Sequence, residues 1–250
     1  MLSRSGDAGS RLLAGIHKLP VVPEPIPIIG ATGALGWGFA MRLARAGQPV
    51  VIGSRSAERA EEAAGRVREV APDADVQGLV NDEAAGKGPI VFLTVPFRAQ
   101  AENLNNLREV LQPGQILVDC TVPTAAAVGG KATRTLGVWQ GSAAQQAQEM
   151  VPDGVTVIGT LHTVSAKTLG NPDAELGEDI LVCGDRKADK ARVARIIELI
   201  PGLRAVNAGA LEMARIVEQL TSLLISVNVR YKTSAGLRIT GLGDDDDHWG

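Results

Sequence analysis

The segment IIGATGALGWG, from Ile28 to Gly38, follows a short apolar run and contains the spacing G-x-x-G-x-x-G at Gly30, Gly33 and Gly36. Between a strand and a helix, three such glycines permit a tight turn, a close approach of a pyrophosphate to the backbone, and close packing of the helix on the strand. The helix that follows offers free N–H groups and the positive end of its dipole to phosphates. An ordinary turn loop also contains glycines, so the surrounding pattern has to decide between the two interpretations.

Strand-like and helix-like segments alternate around this glycine-rich turn. Apolar runs predict strands, and the segments between them predict helices, at Ile26–Ile29, Leu35–Ala46, Val50–Ile52, Ala57–Val70, Ile90–Val95, Phe97–Leu111 and Ile116–Val118. Alternation of this kind implies right-handed crossovers and a parallel sheet covered on both faces. We therefore expect an α/β fold with a Rossmann-type doubly wound parallel sheet. Pro27 cannot donate to a central ladder, so we place it at the first residue of its strand.

The pattern weakens after about residue 121. A helix is predicted within residues 137–152, strands at Val155–Ile158 and Ile180–Cys183, and a helix at Lys187–Leu199. A long terminal helix begins at Leu211, and its apolar residues cover more than one face, which indicates packing on a second surface. We expect a mobile extension over residues 1–25, a dinucleotide-binding Rossmann domain over 26–150, a small α/β part ending in the long apolar helix over 151–242, and an acidic tail over 243–250.

Composition excludes several classes of function. A net charge of −3 offers no electrostatic case for nucleic acid or for an anionic membrane. Two isolated cysteines, Cys120 and Cys183, exclude a zinc cluster and argue against a disulfide framework, so we predict no metal site. No apolar stretch approaches the roughly 20 residues needed to span a bilayer. We find no signal peptide, and we expect a cytoplasmic protein.

A second turn, Gly53-Ser54-Arg55-Ser56, indicates which dinucleotide binds. Proteins that bind NAD usually carry an acidic residue at this point, about 20 residues beyond the glycines, for the ribose hydroxyls. Here Ser54, Arg55 and Arg59 would instead hold a 2′-phosphate. The two arginines could also be a solvated helix start, but a cation is unfavourable at a helix N-terminus. The sequence favours NADP over NAD.

Two later segments are candidates for the site of hydride transfer. LTVPFRA, residues 93–99, ends a strand, and GTLHTVSAKTLGN, residues 159–171, follows another strand and carries His162. No Ser-His-Asp spacing, H-E-x-x-H motif or paired carboxylates point to hydrolysis. The residues by themselves therefore predict an NADP-dependent oxidoreductase and leave its partner substrate open.

Six segments in this order resemble the family of NADPH-dependent coenzyme F420 reductases, also called F420-dependent NADP oxidoreductases. They are GATGALG, IGSRS, LTVPF, LHTVSA, CGD and RIVEQLTSLLISVN, and the resemblance spans about Ile28 to Leu242. It implies hydride transfer between NADPH and coenzyme F420, a 5-deazaflavin, with NADP and F420 as the cofactors. It also implies that residues 151–242 bind F420, and that the chain forms a homodimer. The helix predicted over residues 211–229 has an unusually broad apolar face, so we expect this helix to lie at the dimer interface.

The resemblance also implies roles for individual residues. The adenosine phosphate is expected on Ser54, Arg55 and Arg59. The deazaflavin is expected against His162, Gln219 and Thr221. The remaining cofactor-binding residues are those of the glycine loop and those on the nicotinamide side: Gly30, Thr32, Gly33, Ala34, Leu35, Gly36, Val95, Pro96, Phe97, Ala101 and Ala166.

His162 is the candidate catalytic residue. Reduction of F420 takes up a proton as well as a hydride, and a nearby polar group would stabilise charge that develops on the ring. The alternative is that His162 only braces its own loop through a hydrogen bond. Two other functions remain open for the same scaffold: an NADP-dependent imine or ketone reductase, and a non-catalytic sensor that binds NADPH without turnover.

Overall fold

The computed structural model describes residues 24–243 and Trp249. The predicted extension over residues 1–25 therefore lies outside the described residues except for Glu24 and Pro25, and the predicted acidic tail lies outside them except for Gly243 and Trp249. The strands are β1 Ile26–Ile29, β2 Val50–Ser54, β3 Val76–Val80, β4 Ile90–Leu93, β5 Ile116–Asp119, β6 Thr156–Gly159, β7 Glu178–Cys183 and β8 Leu203–Gly209. The α-helices are α1 Ala34–Arg45, α2 Ala57–Val70, α3 Asn81–Ala85, α4 Gln100–Leu107, α5 Ala143–Met150, α6 Ala166–Leu169, α7 Lys187–Glu198 and α8 Ala214–Tyr231.

All eight strands form one sheet in the order β3-β2-β1-β4-β5-β6-β7-β8. The first six strands are parallel, β7 is antiparallel to β6, and β8 is parallel to β7. The Rossmann-type α/β fold is confirmed, with a sheet that is mixed at one end. The sheet runs without interruption past residue 150, and the division of the chain into two parts at that point stays a prediction.

The central strands are apolar along their whole length because helices cover both faces of the sheet. Alternate residues point to opposite faces, so Ile28 and Phe92 pack on one side while Ile29 and Leu93 pack on the other. On the first side the rings of Phe39, from α1, and Phe92 are tilted, with centroids 4.8 Å apart. This double burial explains why continuous apolar runs in the sequence identified these strands.

Pro27 is the second residue of β1, so its predicted place at the first residue is wrong. Pairing of β1 with β4 begins only at Ile28, opposite Phe92. The ring of Pro27 instead faces Gly88, where a Cβ would lie 2.8 Å from Pro27 Cδ. The missing N–H of Pro27 therefore falls outside the paired residues of β1 and β4, and Gly88 makes room for the proline ring.

The strands β3 and β8 did not emerge from the sequence pattern. Both lie at an edge of the sheet, and their sequences VQGLV and LRAVNAG mix polar with apolar residues. In β3, Gly78 lies against the backbone of α2, where a Cβ would be 2.5 Å from the Ala60 carbonyl carbon. Close helix packing therefore selects a residue that weakens the strand signal.

The long helix α8 is less buried than its apolar sequence predicts for a single chain. Only Ala214, Val217, Glu218 and Ser222 are buried along its length. Large apolar side chains on the same helix are exposed: Ile216, Leu223, Val229 and Tyr231. No helix in residues 24–243 has the length and apolar character to cross a membrane.

Candidate functional site

The glycine-rich turn lies between β1 and α1, at the point where the strand order reverses between β1 and β4. Such a switch point opens a crevice at the carboxyl ends of parallel strands. Gly30 has a φ of +80°, and its N–H donates to the Gly53 carbonyl at 3.1 Å. A Cβ on Gly30 would lie 2.5 Å from Val95 Cγ1. Both the backbone conformation and the lack of space therefore require glycine here.

The first turn of α1 faces this crevice. Gly33 is the N-cap residue, and no side chain in the described part of the protein caps the helix. Gly36 packs against Thr94, where a Cβ would lie 2.3 Å from the hydroxyl oxygen. The end of β4 and the helix α1 are thus held together, and the N–H groups of the first turn are left for a ligand.

A cavity of about 450 Å³ extends along the carboxyl edge from this turn. Its lining includes eight of the predicted site residues: Gly30, Thr32, Gly33, Ser54, Arg55, Arg59, Val95 and Pro96. It also includes four residues that sequence reasoning missed: Ser56, Asn81, Ala99 and Asn103. Ala99 and Asn103 are four residues apart on the helical segment that follows Pro96, a spacing that could have indicated their shared face.

The second turn forms one end of the cavity. Ser54 is buried, and its Oγ accepts a 3.4 Å hydrogen bond from the Ser56 N–H, while the Ser56 Oγ caps α2 by accepting one from the Arg59 N–H. The side chains of Arg55 and Arg59 are exposed, and neither forms an ion pair with another described residue. Two cations thus lie beside the start of α2, and neither is paired with a carboxylate among residues 24–243.

Other predicted residues lie near the cavity but do not line it. Ala34, Leu35 and Gly36 form the first turn of α1. Phe97 is half-buried in a 3₁₀ turn directly after Pro96, and Ala101 is exposed on α4.

His162 lies in the loop after β6, which is two strands beyond β4 in the sheet and ends at the same edge. Leu161, just before it, has a φ of 61°, which is a strained conformation for a branched side chain. The Thr221 hydroxyl, from α8, donates to the His162 carbonyl at 2.7 Å. The loop at His162 is thus tied to the terminal helix, and the structure brings His162 and Thr221 together. Their roles toward a deazaflavin stay a prediction.

The imidazole of His162 is buried, and neither ring nitrogen makes a hydrogen bond of normal geometry with a described residue. Burial lowers the pKa of His162 to about 4, with a weaker opposing effect from the backbone of Asp119. The ring is therefore neutral at ordinary pH. Neither ring nitrogen has a well-formed partner among the described residues, and a buried group in that state needs an explanation.

The two remaining predicted residues flank this loop. Ala166 is the half-buried first residue of α6, whose N-cap Ser165 accepts a hydrogen bond from the Thr168 N–H. Gln219 is exposed on α8, two residues before Thr221.

A buried polar network that the sequence did not indicate lies near His162 and includes Asp119, whose backbone is close to the imidazole. Gln100 donates to the Asp119 carboxylate at 2.7 Å, and the Glu218 carboxylate accepts from the Ala143 and Ala144 N–H groups at the start of α5. Desolvation raises the pKa of Asp119 to about 6. It raises that of Glu218 to about 8, against the two N–H bonds. Glu218 thereby joins α8 to the start of α5.

The described residues hold no group of three or more His, Cys, Asp or Glu side chains arranged for a metal ion. Cys120 and Cys183 are both buried free thiols. Burial raises the pKa of the Cys183 thiol to about 12, so it stays protonated.

Comparison with known proteins links these features to one family. Residues 25–123 match the family described as NADP oxidoreductase, coenzyme F420-dependent. The chain is 39% identical over 232 residues to the F420-dependent NADP reductase of Methanothermobacter thermautotrophicus, covering 91% of this chain and all of the relative. It is also 39% identical over 222 residues to the protein of the same name from Methanocaldococcus jannaschii, covering 87% of this chain and 98% of the relative.

Solved structures support the same fold. A crystal structure of a candidate F420-dependent NADP reductase from Arthrobacter sp. FB24 superimposes with a TM-score of 0.68 at 24% identity, covering 86% of this chain and 99% of that one. An imine reductase from Streptomyces aurantiacus superimposes with a TM-score of 0.55 at 21% identity, covering 83% of this chain and 64% of that one. The extent and identity of the match to the two archaeal reductases show that this chain belongs to the family of F420-dependent NADP oxidoreductases.

Proposed function

We propose that this chain is an F420-dependent NADP reductase, an oxidoreductase that transfers a hydride between NADPH and coenzyme F420. The observation that carries the proposal is the line of binding features along one edge of the sheet. It begins at the cations after β2, passes the glycine turn after β1 and Val95 after β4, and ends at the His162 loop after β6. An extended dinucleotide that binds along the cations, the glycine turn and Val95 would direct its nicotinamide end toward the His162 loop.

The residues at the β1–β2 end of this line fit NADP. Gly33 leaves open backbone where a pyrophosphate would lie, and the uncapped first turn of α1 supplies N–H donors. Arg55, Arg59 and the Ser54 hydroxyl would hold the 2′-phosphate, because guanidinium groups bind phosphate through paired, charge-assisted hydrogen bonds. Val95, Pro96, Phe97 and Ala101, with Ala166 across the cleft, would position the nicotinamide.

The His162 region fits a polar heterocycle such as a deazaflavin. When bound, F420 accepts a hydride at its ring and takes up a proton. His162 would donate a hydrogen bond from its neutral ring toward charge on that heterocycle, since its low pKa argues against a role as the acid. Gln219 and Thr221 would border the same site from α8. The unused hydrogen-bonding atoms of His162 support this assignment.

We also propose that two copies of the chain form a dimer through α8 and that residues 151–242 carry both the F420 site and this interface. The exposed side chains of Ile216, Leu223, Val229 and Tyr231 lie on one helix, and Trp139 is 97% exposed. Apolar area of this kind is typical of an interface that a second copy covers symmetrically.

The test is to mix purified protein with NADPH and F420 and to follow the visible absorbance of the deazaflavin. Bleaching that requires both protein and NADPH supports the proposal. Turnover of a cyclic imine or a ketone in place of F420 would favour the imine or ketone reductase. The chain spans 64% of the length of the Streptomyces imine reductase. Tight NADPH binding without turnover of any acceptor would favour the sensor.

A further inference from the structure

The guanidinium of Arg42, on α1, makes an unusual set of contacts with the segment after the His162 loop. Its Nε donates to the Leu169 carbonyl at 2.9 Å. One terminal nitrogen is within hydrogen-bond distance of three more carbonyls, those of Thr168 at 3.3 Å, Asn171 at 2.7 Å and Ala174 at 2.8 Å. Arg42 forms no ion pair with a carboxylate among the described residues. One side chain thus gathers four backbone acceptors from seven consecutive residues.

Thr168 and Leu169 are the last two residues of α6, and Asn171 and Ala174 lie in the turn that follows. A helix end leaves carbonyls without partners inside the helix; here the Thr168 and Asn171 carbonyls each accept a backbone N–H bond as well, from Asn171 and Ala174. A planar guanidinium supplies several donors in fixed directions, so it can serve a cluster of carbonyls that an ammonium group would serve only in part. Arg42 therefore acts as a cap for α6 that comes from another helix.

The backbones of the two helices also touch directly. A Cβ on Gly38, one turn before Arg42, would lie 2.8 Å from the Gly170 nitrogen and 2.9 Å from the Leu169 carbonyl carbon. Contact this close fixes the distance between α1 and α6. Gly38 and Arg42 together hold the 166–174 segment against α1.

We propose that Arg42 is a positioning residue for hydride transfer, because it locks the segment that begins directly after the His162 loop onto the helix whose first turn holds the NADP pyrophosphate. The inference rests on the function proposed above. One end of α1 faces the dinucleotide, and the other end fixes α6, so a single rigid helix sets the spacing between the two reactants. Arg42 itself lies about two helical turns from the pyrophosphate-binding end.

Hydride transfer is sensitive to this spacing. The reacting carbons have to approach within roughly 3–3.5 Å, and a displacement of about 1 Å can lower the rate on the order of 100-fold. Loss of the Arg42 contacts would free α6 and the preceding loop. Ala166, on the nicotinamide side, belongs to the freed segment, whereas the glycine turn, Ser54, Arg55 and Arg59, which hold the phosphates, stay in place. The expected signature is a slower chemical step at unchanged affinity for NADPH.

The test compares Arg42→Met with Arg45→Met. Arg45 is a graded control: it lies on the same helix and is exposed, but it donates to only one carbonyl of the segment, that of Pro172. Arg45→Met should therefore slow the reaction by less than ~3-fold. We expect Arg42→Met to slow single-turnover hydride transfer at saturating NADPH and F420 by about 10-fold or more. The dissociation constant for NADPH, measured without F420, should change by less than ~3-fold.

Two further measurements separate positioning from a loss of stability. Amide hydrogen exchange without either cofactor should rise over residues 160–171 in Arg42→Met and stay unchanged at the start of α1. Arg42→Lys should recover part of the rate, because an ammonium can still reach some of the carbonyls. If Arg42→Met does not fold, Gly38→Ala provides the same test, because the added methyl group pushes the segment away while the charge remains.

Wild-type rates at saturation in Arg42→Met, or in Gly38→Ala where that variant replaces it, would overturn the inference. A fall in NADPH affinity that accounts for the whole loss would also overturn it. Failure of the proposed function looks different, because the wild-type protein would then bind NADPH and leave F420 unreduced. That result would remove the basis of the inference as well.

Discussion

Replacement of Arg55 by alanine should weaken binding of NADPH and leave binding of NADH nearly unchanged. Arg55 is exposed at the end of the cavity and forms no ion pair with a described residue. The substitution therefore leaves no protein group without its partner. What is lost is the charge-assisted bond to the 2′-phosphate, a group that NADH does not carry.

The size of the effect follows from this environment. A hydrogen bond between a charged donor and phosphate contributes about 1.5–3 kcal/mol. Solvent screens an exposed charge, and Arg59 and Ser54 remain in place, so we expect the lower end of that range. A loss of ~1.5–2 kcal/mol raises the dissociation constant for NADPH about 10- to 30-fold. The dissociation constant for NADH should stay within ~2-fold.

Titration calorimetry with both nucleotides measures this difference directly. Arg195→Ala is the control for net charge, since Arg195 is exposed on α7, away from the cavity lining. The preference for NADPH should also shrink at high salt, because exposed charges are screened over a shorter distance. Equal losses for NADPH and NADH in Arg55→Ala would refute the assignment of Arg55 to the 2′-phosphate.

Three further variants test other parts of the structure. His162→Ala should lower the single-turnover rate of hydride transfer about 10- to 100-fold, while the affinity for NADPH changes by less than ~3-fold. If His162 only braces its loop, the variant should instead bind both cofactors more weakly and melt at a lower temperature, and its rate at saturation should stay at the wild-type value. Leu223→Glu, which places a charge on the exposed apolar side of α8, should give monomers in sedimentation, whereas a wild-type chain that is monomeric at micromolar concentration would contradict the dimer. Glu218→Gln tests the raised pKa of that buried carboxyl. The folded wild type keeps a proton that the unfolded chain has released, so Glu218 costs stability as pH rises from its ordinary pKa of 4.5 to about 8. In urea unfolding, the free energy of unfolding of Glu218→Gln minus that of wild type should increase by about 2–4 kcal/mol as the pH is raised from 5 to 8. If this difference stays constant across that pH range, the pKa of Glu218 is not raised.

The parts of the fold that the sequence predicts are those with a strong local signal. The strands β1, β4 and β5 are short apolar runs, and Ala57–Val70 has the same bounds in the sequence pattern and in the structure. The glycine turn is also local, because the positive φ of Gly30 arises within a single strand–turn–helix unit. The contact of Gly30 with Val95 is not local, since Val95 follows the neighbouring strand β4. Edge strands such as β3 lack such a signal, since solvent and a neighbouring helix set their composition.

The candidate site divides in the same way. The loop residues after β1, β2 and β4 converge because parallel strands end at one edge, and sequence order alone indicates this. Glu218 reaches the site region only through the packing of α8 against α5, two elements far apart in the chain. Arg42 is a similar case, since its partners lie about 130 residues away and are backbone carbonyls, which carry no mark in a sequence.

The most direct test of the account follows the hydrogen itself. NADPH deuterated at the transferable C4 position is mixed with F420 and the purified protein in ordinary water, and the reduced deazaflavin is analysed by mass spectrometry. Direct hydride transfer predicts one deuterium in each molecule of reduced F420, and none when unlabelled NADPH is used in deuterated water apart from exchangeable N–H sites. Reduced F420 that carries solvent hydrogen on carbon, or F420 that stays unreduced while NADPH remains bound, would contradict it.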